Sequence, residues 1–199
     1  MRMFAVLLLL TSVSGFCQDK FDVTAAREFQ NQLNKEYADP KKSPLMEQDL
    51  KAFHGLDFFE VNPDYIVTGR FVKSENEKPF EMKTTSSRRP KYVKYGEFHF
   101  EIQGKSYRLN AYRSVETTKS PGYENTLFLP FSDLTSGKET YIGGRYLDVE
   151  IPVTNTAVLD FNRAYNPYCA YNYAYSCPIV PLENDLEVAV RAGVKKFHD

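Results

Sequence analysis

The feature that most constrains this chain is a stretch in which apolar side chains recur at every second position. Phe98, Phe100 and Ile102 alternate with Glu97, His99 and Glu101, and after Gly104-Lys105 the register resumes at Tyr107, Leu109 and Ala111. A period of two sends one set to a buried face and the other to solvent, and a glycine-bearing break between two such runs marks an antiparallel hairpin turning at Gly104-Lys105. The same period runs from Tyr65 to Val72, with Tyr65, Val67, Gly69 and Phe71 opposite Ile66, Thr68, Arg70 and Val72. Further strands are expected at Pro79 to Thr85, Leu127 to Phe131, Arg145 to Val153, Ala157 to Phe161 and Asp185 to Ala192. Ahead of the strands the period is helical: Ala26, Phe29, Leu33 and Tyr37 share a face, and the pattern stops at Asp39-Pro40. Ser43-Pro44 reads as the cap and first residue of a second, short helix ending near Phe53-His54-Gly55. The expected fold is mainly β with minor α: an antiparallel sandwich, roll or open barrel preceded by one or two helices.

With 199 residues and 42% hydrophobic content the chain can fill one domain of ordinary size, expected over residues 18–199. A formal charge of −1 supplies no electrostatic footprint for nucleic acid or an anionic membrane. Nothing in the sequence calls for a cofactor or a metal: His54, His99 and His198 lack ligand spacing, and a Ser-His-Asp or Cys-His device finds no support.

The first 17 residues read as a signal peptide. Arg2 precedes the apolar run Phe4 to Leu10, followed by Ser12, Ser14 and Gly15. The run is far shorter than the roughly 20 residues a permanent span needs. Gly15 and Cys17 occupy the positions that signal peptidase reads, so cleavage is expected after Cys17, giving a periplasmic or secreted chain. Phe16 disfavours lipidation of Cys17, since a small residue normally precedes a lipidated cysteine. Cys169 and Cys177 then remain, and in an oxidising compartment they read first as a disulfide contributing about 2.5 kcal/mol. A reactive thiol at Cys169, with Arg163 the nearest cation in sequence, is the minority alternative.

Between Phe131 and Asn184 the strand-and-turn pattern gives way to denser polar chemistry. The stretch holds Phe131-Ser132-Asp133-Leu134-Thr135-Ser136-Gly137, then Gly143-Gly144-Arg145-Tyr146-Leu147-Asp148, Leu159-Asp160-Phe161-Asn162-Arg163, and Cys177-Pro178. In order, these are a proline-phenylalanine lead-in, a threonine-glycine turn, a glycine-arginine-tyrosine strand, an aspartate-phenylalanine-asparagine strand and paired cysteines with proline. In these stretches the chain resembles the bacterial family known as domain of unknown function 1684. The resemblance runs over about residues 40–197 and is strongest from Phe128 to Gly193. The closing Ala192-Gly193-Val194-Lys195 departs from the pattern, which has glutamate after the glycine. The resemblance implies no reaction.

Physically, Asp133, Thr135, Ser136 and Gly137 are good residues for a tight turn. Ser136-Gly137-Lys138-Glu139-Thr140 is not a phosphate loop, because Ser132 stands where the first glycine of that motif must be. Gly143-Gly144 would let backbone or a ligand approach Arg145 closely. Asp160 and Asn162 share a strand face, which is either a buried polar network or a binding surface. In the second case Arg145 or Arg163 would grip a carboxylate or phosphate, with Asp160 or Glu139 orienting it. Tyr165, Tyr168, Tyr171, Tyr173 and Tyr175 either pack beneath the cysteine loop, the favoured reading, or form a ligand face. The sequence therefore points to a module that binds a small polar or anionic ligand through Asp133, Thr135, Glu139, Arg145, Asp160, Asn162, Arg163 and Tyr165. A metal-independent hydrolase using two of Asp133, Glu139, Asp148 and Asp160 is the alternative, and a purely structural or interaction domain the third.

Overall fold

A computed structural model describes residues 23–116 and 122–198; the expected signal peptide and its cleavage site at Cys17 lie outside the described residues. The strands are β1 (Ile66–Lys73), β2 (Phe80–Glu81), β3 (Lys91–Ile102), β4 (Lys105–Ser114), β5 (Thr126–Asp133), β6 (Arg145–Glu150), β7 (Thr156–Asp160) and β8 (Asp185–Leu186). Two helices precede them, α1 (Thr24–Ala38) and α2 (Glu47–Lys51). The alternating run is the β3–β4 hairpin, paired from Tyr92↔Ser114 to Ile102↔Lys105. Because Lys105 already pairs with Ile102, the turn is Gln103-Gly104, one residue earlier than the spacing suggests. Both residues have positive φ, 52° and 73°, the sign that lets a two-residue loop follow the twist of its strands.

The hairpin sits in the middle of one sheet of order β6-β5-β4-β3-β1-β7, all neighbours antiparallel, with β2 beside β3 and β8 running parallel to β5. The sheet curls into a half-barrel, so of the three architectures compatible with the sequence it takes the open, curled one. One face carries the main core, with Phe98, Phe100, Leu109, Leu129, Phe131 and Leu159 at its centre. A second apolar cluster joins α1 to the loops beyond β7 through Tyr37, Leu45, Leu56, Tyr171 and Val194. Among the described residues no helix is long and apolar enough to cross a membrane.

Four expected elements came out shorter. The second helix begins at Glu47, because the Ser43 hydroxyl accepts the Leu45 amide at 3.2 Å in a turn rather than capping a helix. The strand expected over Arg145 to Val153 ends at Glu150. The strand expected over Pro79 to Thr85 forms only at Phe80–Glu81, with an isolated bridge between Thr84 and Pro178 beyond it. The one expected over Asp185 to Ala192 pairs only at Asp185–Leu186, although Val188, Val190 and Ala192 keep the alternation and are buried. Their carbonyls explain the difference, because Val190, Ala192 and Val194 accept hydrogen bonds from the Arg145 guanidinium instead of from a strand.

Arg145 is fully buried, and so is the Asp133 carboxylate that its Nη2 meets at 2.6 Å. The guanidinium lies 5.2 Å from the centre of the Phe131 ring. The other Asp133 oxygen accepts the Thr135 amide at 2.6 Å and the Thr135 hydroxyl, which contacts Thr140 Oγ1 at 2.9 Å. Desolvating two charges is costly, and the pair is tolerated because Thr135 donates to Asp133 and three carbonyls accept from the two terminal guanidinium nitrogens, although Arg145 Nε is left buried without a partner among the described residues. A similar device fills the gap where β4 and β5 pair only at Tyr112↔Phe128. There the buried Asn184 side chain accepts the Asn110 amide at 2.8 Å and donates to the carbonyls of Asn110 and Pro130 at 2.9 and 2.7 Å. Arg145→Ala strands the Asp133 charge in the core and is expected to lower unfolding free energy by about 3–5 kcal/mol. Urea denaturation followed by far-UV circular dichroism measures it, and a loss under 1 kcal/mol would show that the core does not depend on the pair.

Candidate functional site

The residues expected to grip a ligand are dispersed by the fold. Asp133, Thr135 and Arg145 form the buried pair just described and offer no surface to solvent. The glycine before Arg145 makes room for backbone: a Cβ on Gly144, whose φ is +80°, would lie 2.5 Å from the Phe131 carbonyl oxygen. Glu139 is on the surface, held by Arg191 Nε at 3.0 Å from both its oxygens, and this hydrogen bond lowers its carboxyl below the usual range. Asn162 is buried and clips the lead-in to β1, accepting the Asn62 amide and donating to the Asn62 carbonyl, each at 2.9 Å. Asp160 caps the single 3-10 turn Phe161–Arg163 by accepting the Asn162 amide at 3.0 Å. Asp160 and Arg163 do meet, with Asp148, along a cleft of about 500 Å³ beside β6 and β7.

The better-formed site lies on the sheet face opposite the main core, where a cavity of about 410 Å³ is ringed by aromatic side chains. Its origin is in strand periodicity. On β5, Leu127, Leu129 and Phe131 enter the core, so Thr126 and Phe128 point the other way; on β6, Arg145 and Leu147 face the core, so Tyr146 and Asp148 do not. Register places Phe128 opposite Asp148 and Tyr92 opposite Ser114. Helix α1 adds Phe29, Leu33, Glu36 and Tyr37, and the loops beyond β7 add Tyr165, Pro167, Tyr168 and Ser176 to Pro178. The rings lock one another edge to face: Phe128 and Tyr146 are 4.7 Å apart at 74°, and Tyr146 and Tyr165 are 5.8 Å apart at 87°. Such contacts fix the rings' orientation beyond what burial alone would do.

Asp148 is the charged group inside this ring. Its Oδ2 accepts the Tyr165 hydroxyl at 2.8 Å, its one hydrogen bond among the described residues. Burial raises its carboxyl above the usual carboxylate range, opposed by the Tyr165 bond and by Arg163. Burial, reinforced by Asp148, keeps the Tyr165 hydroxyl protonated. The described lining contains two carboxylates, Asp148 and Glu36, and no Lys, Arg or His. Of the eight residues expected to bind a ligand only Tyr165 belongs here, joined by Tyr168 from the tyrosine-rich loop and by Asp148, one of the four carboxylates of the hydrolase alternative. Phe128 and Tyr146 fall in expected strands, and Tyr92 lies outside them. The usable signal was that β5 and β6 carry large aromatic residues at positions facing away from the core.

At one edge of the cavity stands Cys177, with Cys169 beside it, and both are free thiols, so the expected disulfide is not formed in the structure. Instead the Cys169 amide donates to Cys177 Sγ at 3.1 Å. Arg88 acts on Cys177, and neither it nor Arg163 is among the groups that shift Cys169. Within the tyrosine-rich loop Tyr171 packs against Tyr37 at 5.0 Å, as the packing reading expects, whereas Tyr173 is 88% exposed. Among the described residues no group of three or more His, Cys, Asp or Glu side chains could hold a metal ion.

No curated protein matches the chain. Among solved structures it is similar to the solution structure of an uncharacterized protein from gene locus rrnAC0354 of Haloarcula marismortui. The two share 32% identity over 86% of this chain and 92% of that one, with a TM-score of 0.68. The family model described as protein of unknown function (DUF1684) matches residues 51–195, and the chain belongs to that family.

Proposed function

We propose that this protein binds a small organic cation, an ammonium group on a compact apolar body, in the aromatic cavity between α1 and the sheet. The observation that carries the reading is a half-buried carboxylate inside a ring of tyrosines and phenylalanines with no described basic lining residue. Aromatic faces attract a cation by about 0.5–2 kcal/mol each when water is excluded, and Asp148 supplies the counter-charge. The cavity volume of about 410 Å³ lies within the range of small-molecule sites. The sign of the ligand charge thus differs from the anion that Arg145 suggested, because Arg145 is committed to Asp133. Binding is proposed to take place outside the cytoplasm, after residues 1–17 are removed; N-terminal sequencing of the protein recovered from its native host should begin at Gln18, and an intact Met1 would refute export by this route.

Calorimetric titration with benzyltrimethylammonium, set against its neutral carbon isostere neopentylbenzene, tests the site. The cation should bind and the isostere should not, and Asp148→Asn should weaken binding by about tenfold or more while leaving the melting transition in place. The pH dependence has a defined sign. A cation favours the ionised carboxylate whereas burial favours the protonated acid, so cation and proton compete at Asp148, and affinity should fall as pH drops through its raised pKa. Equal binding of both probes, or an affinity that rises in acid, would remove the reading.

A second reading is supported by the same carboxyl, since burial shifts it toward the protonated form that a general acid needs. Asp148 is the one of the four acidic candidates that lines both the cavity and the cleft shared with Asp160 and Arg163. Turnover of chromogenic ester, glycoside or phosphate substrates that disappears in Asp148→Asn would establish a hydrolase, and no turnover would leave a binding protein.

A further inference from the structure

We infer that Cys169 and Cys177 form a thiol–disulfide exchange site, with the half-exposed Cys169 as attacking sulfur and the buried Cys177 as resolving sulfur, acting on small disulfides. The inference rests on the cysteines' own geometry and not on what occupies the cavity. Cys177 is 6% exposed and held on both sides. Its amide donates to Thr85 Oγ1 at 3.1 Å, and its carbonyl accepts the Thr85 amide at 2.9 Å. The preceding Ser176 is tied to Thr84 at 3.0 Å and to Arg88 through its carbonyl at 2.9 Å. Cys169 has no such clamp. It lies in the single 3-10 turn Tyr168–Ala170, half-buried, with the Tyr141 hydroxyl 3.8 Å from its sulfur.

The electrostatics divide the roles in the same way. A hydrogen bond from the Cys177 thiol, with help from Tyr141, lowers Cys169 to about 7, while the same bond pushes Cys177 well above the thiol range. The bond thus favours the thiolate on Cys169 and the thiol on Cys177. Attack of the Cys169 thiolate on a disulfide RS–SR forms a mixed disulfide and expels one RS⁻. Cys177 then loses its proton and attacks Cys169 Sγ, closing the Cys169–Cys177 bond and expelling the second RS⁻. Two protein thiols are oxidised and one external disulfide is reduced to two thiols, with the two protons released to solvent or to the leaving thiolates.

The test uses the full chain with Cys17→Ser, so that only these two cysteines remain. With oxidised glutathione at pH 7, intact mass should show loss of two hydrogens and no lasting adduct, and excess reduced glutathione should reverse it. Adding Cys177→Ser should trap one glutathione on Cys169, whereas adding Cys169→Ser should leave Cys177 unmodified. The thiolate fraction favours Cys169 over a free thiol by about 15-fold at pH 7, and its weaker nucleophilicity returns much of that, so Cys169 should react roughly threefold faster than an unperturbed thiol at that pH. In case a serine variant fails to fold, limited iodoacetamide on the chain with both cysteines, followed by peptide mapping, should label Cys169 first. Equal labelling of the two, an adduct that never closes, or a closed pair that resists reduced glutathione would each overturn the inference, the last by showing a purely structural bond.

Discussion

The ion pair between Arg145 and Asp133 organises this fold because its two charges can be buried only if the chain brings several other groups to the same point. Asp133 ends β5 and Arg145 begins β6, so the pair ties the two strands at the end where they are joined. The remaining guanidinium hydrogens then dictate the path of the chain from Val190 to Val194, whose carbonyls they bond. Val190 and Ala192 of that segment are consequently delivered to the main core without a strand partner, and Val194 to the second cluster. A well-packed apolar replacement could match the stability of such a pair. It would not dictate where three alternate carbonyls lie.

Much of the architecture was legible because it depends on local period. The β3–β4 hairpin, β1, β5, β6, β7 and α1 all fall where alternation or helical spacing puts them. Legibility failed where side chains took over backbone bonds. Ser43 satisfies the Leu45 amide and delays a helix, and Arg145 and Asn184 stand in for missing strand neighbours. Nothing in the period of residues 185–192 distinguishes carbonyls bonded to a strand from carbonyls bonded to a guanidinium. The candidate site was less legible for a related reason. Its conspicuous polar residues, Asp133, Arg145 and Asn162, attract attention in the sequence because buried polar chemistry is unusual, and here they are spent on the interior.

The cavity depends on strands that are apolar on both faces. A sheet with one solvated side would show polar residues where Phe128 and Tyr146 stand; their size creates a second surface that must be covered. Helix α1 and the loops beyond β7 cover it incompletely, which leaves a lined space with Asp148 inside. The two sheet faces thus differ in what they carry: the ion pair and the main core on one, the aromatic ring on the other.

The order in which contacts become available also follows from the spacing around Arg145. Asp133 is 12 residues away, whereas the three carbonyls lie 45, 47 and 49 residues further along. The short loop costs less entropy to close, so the charges can meet while still in water. Their dehydration waits for the distant segment to dock. Lifting Val190 to Val194 away would strip the guanidinium of three acceptors at once, so the docking of that segment and the burial of the charge stand or fall together.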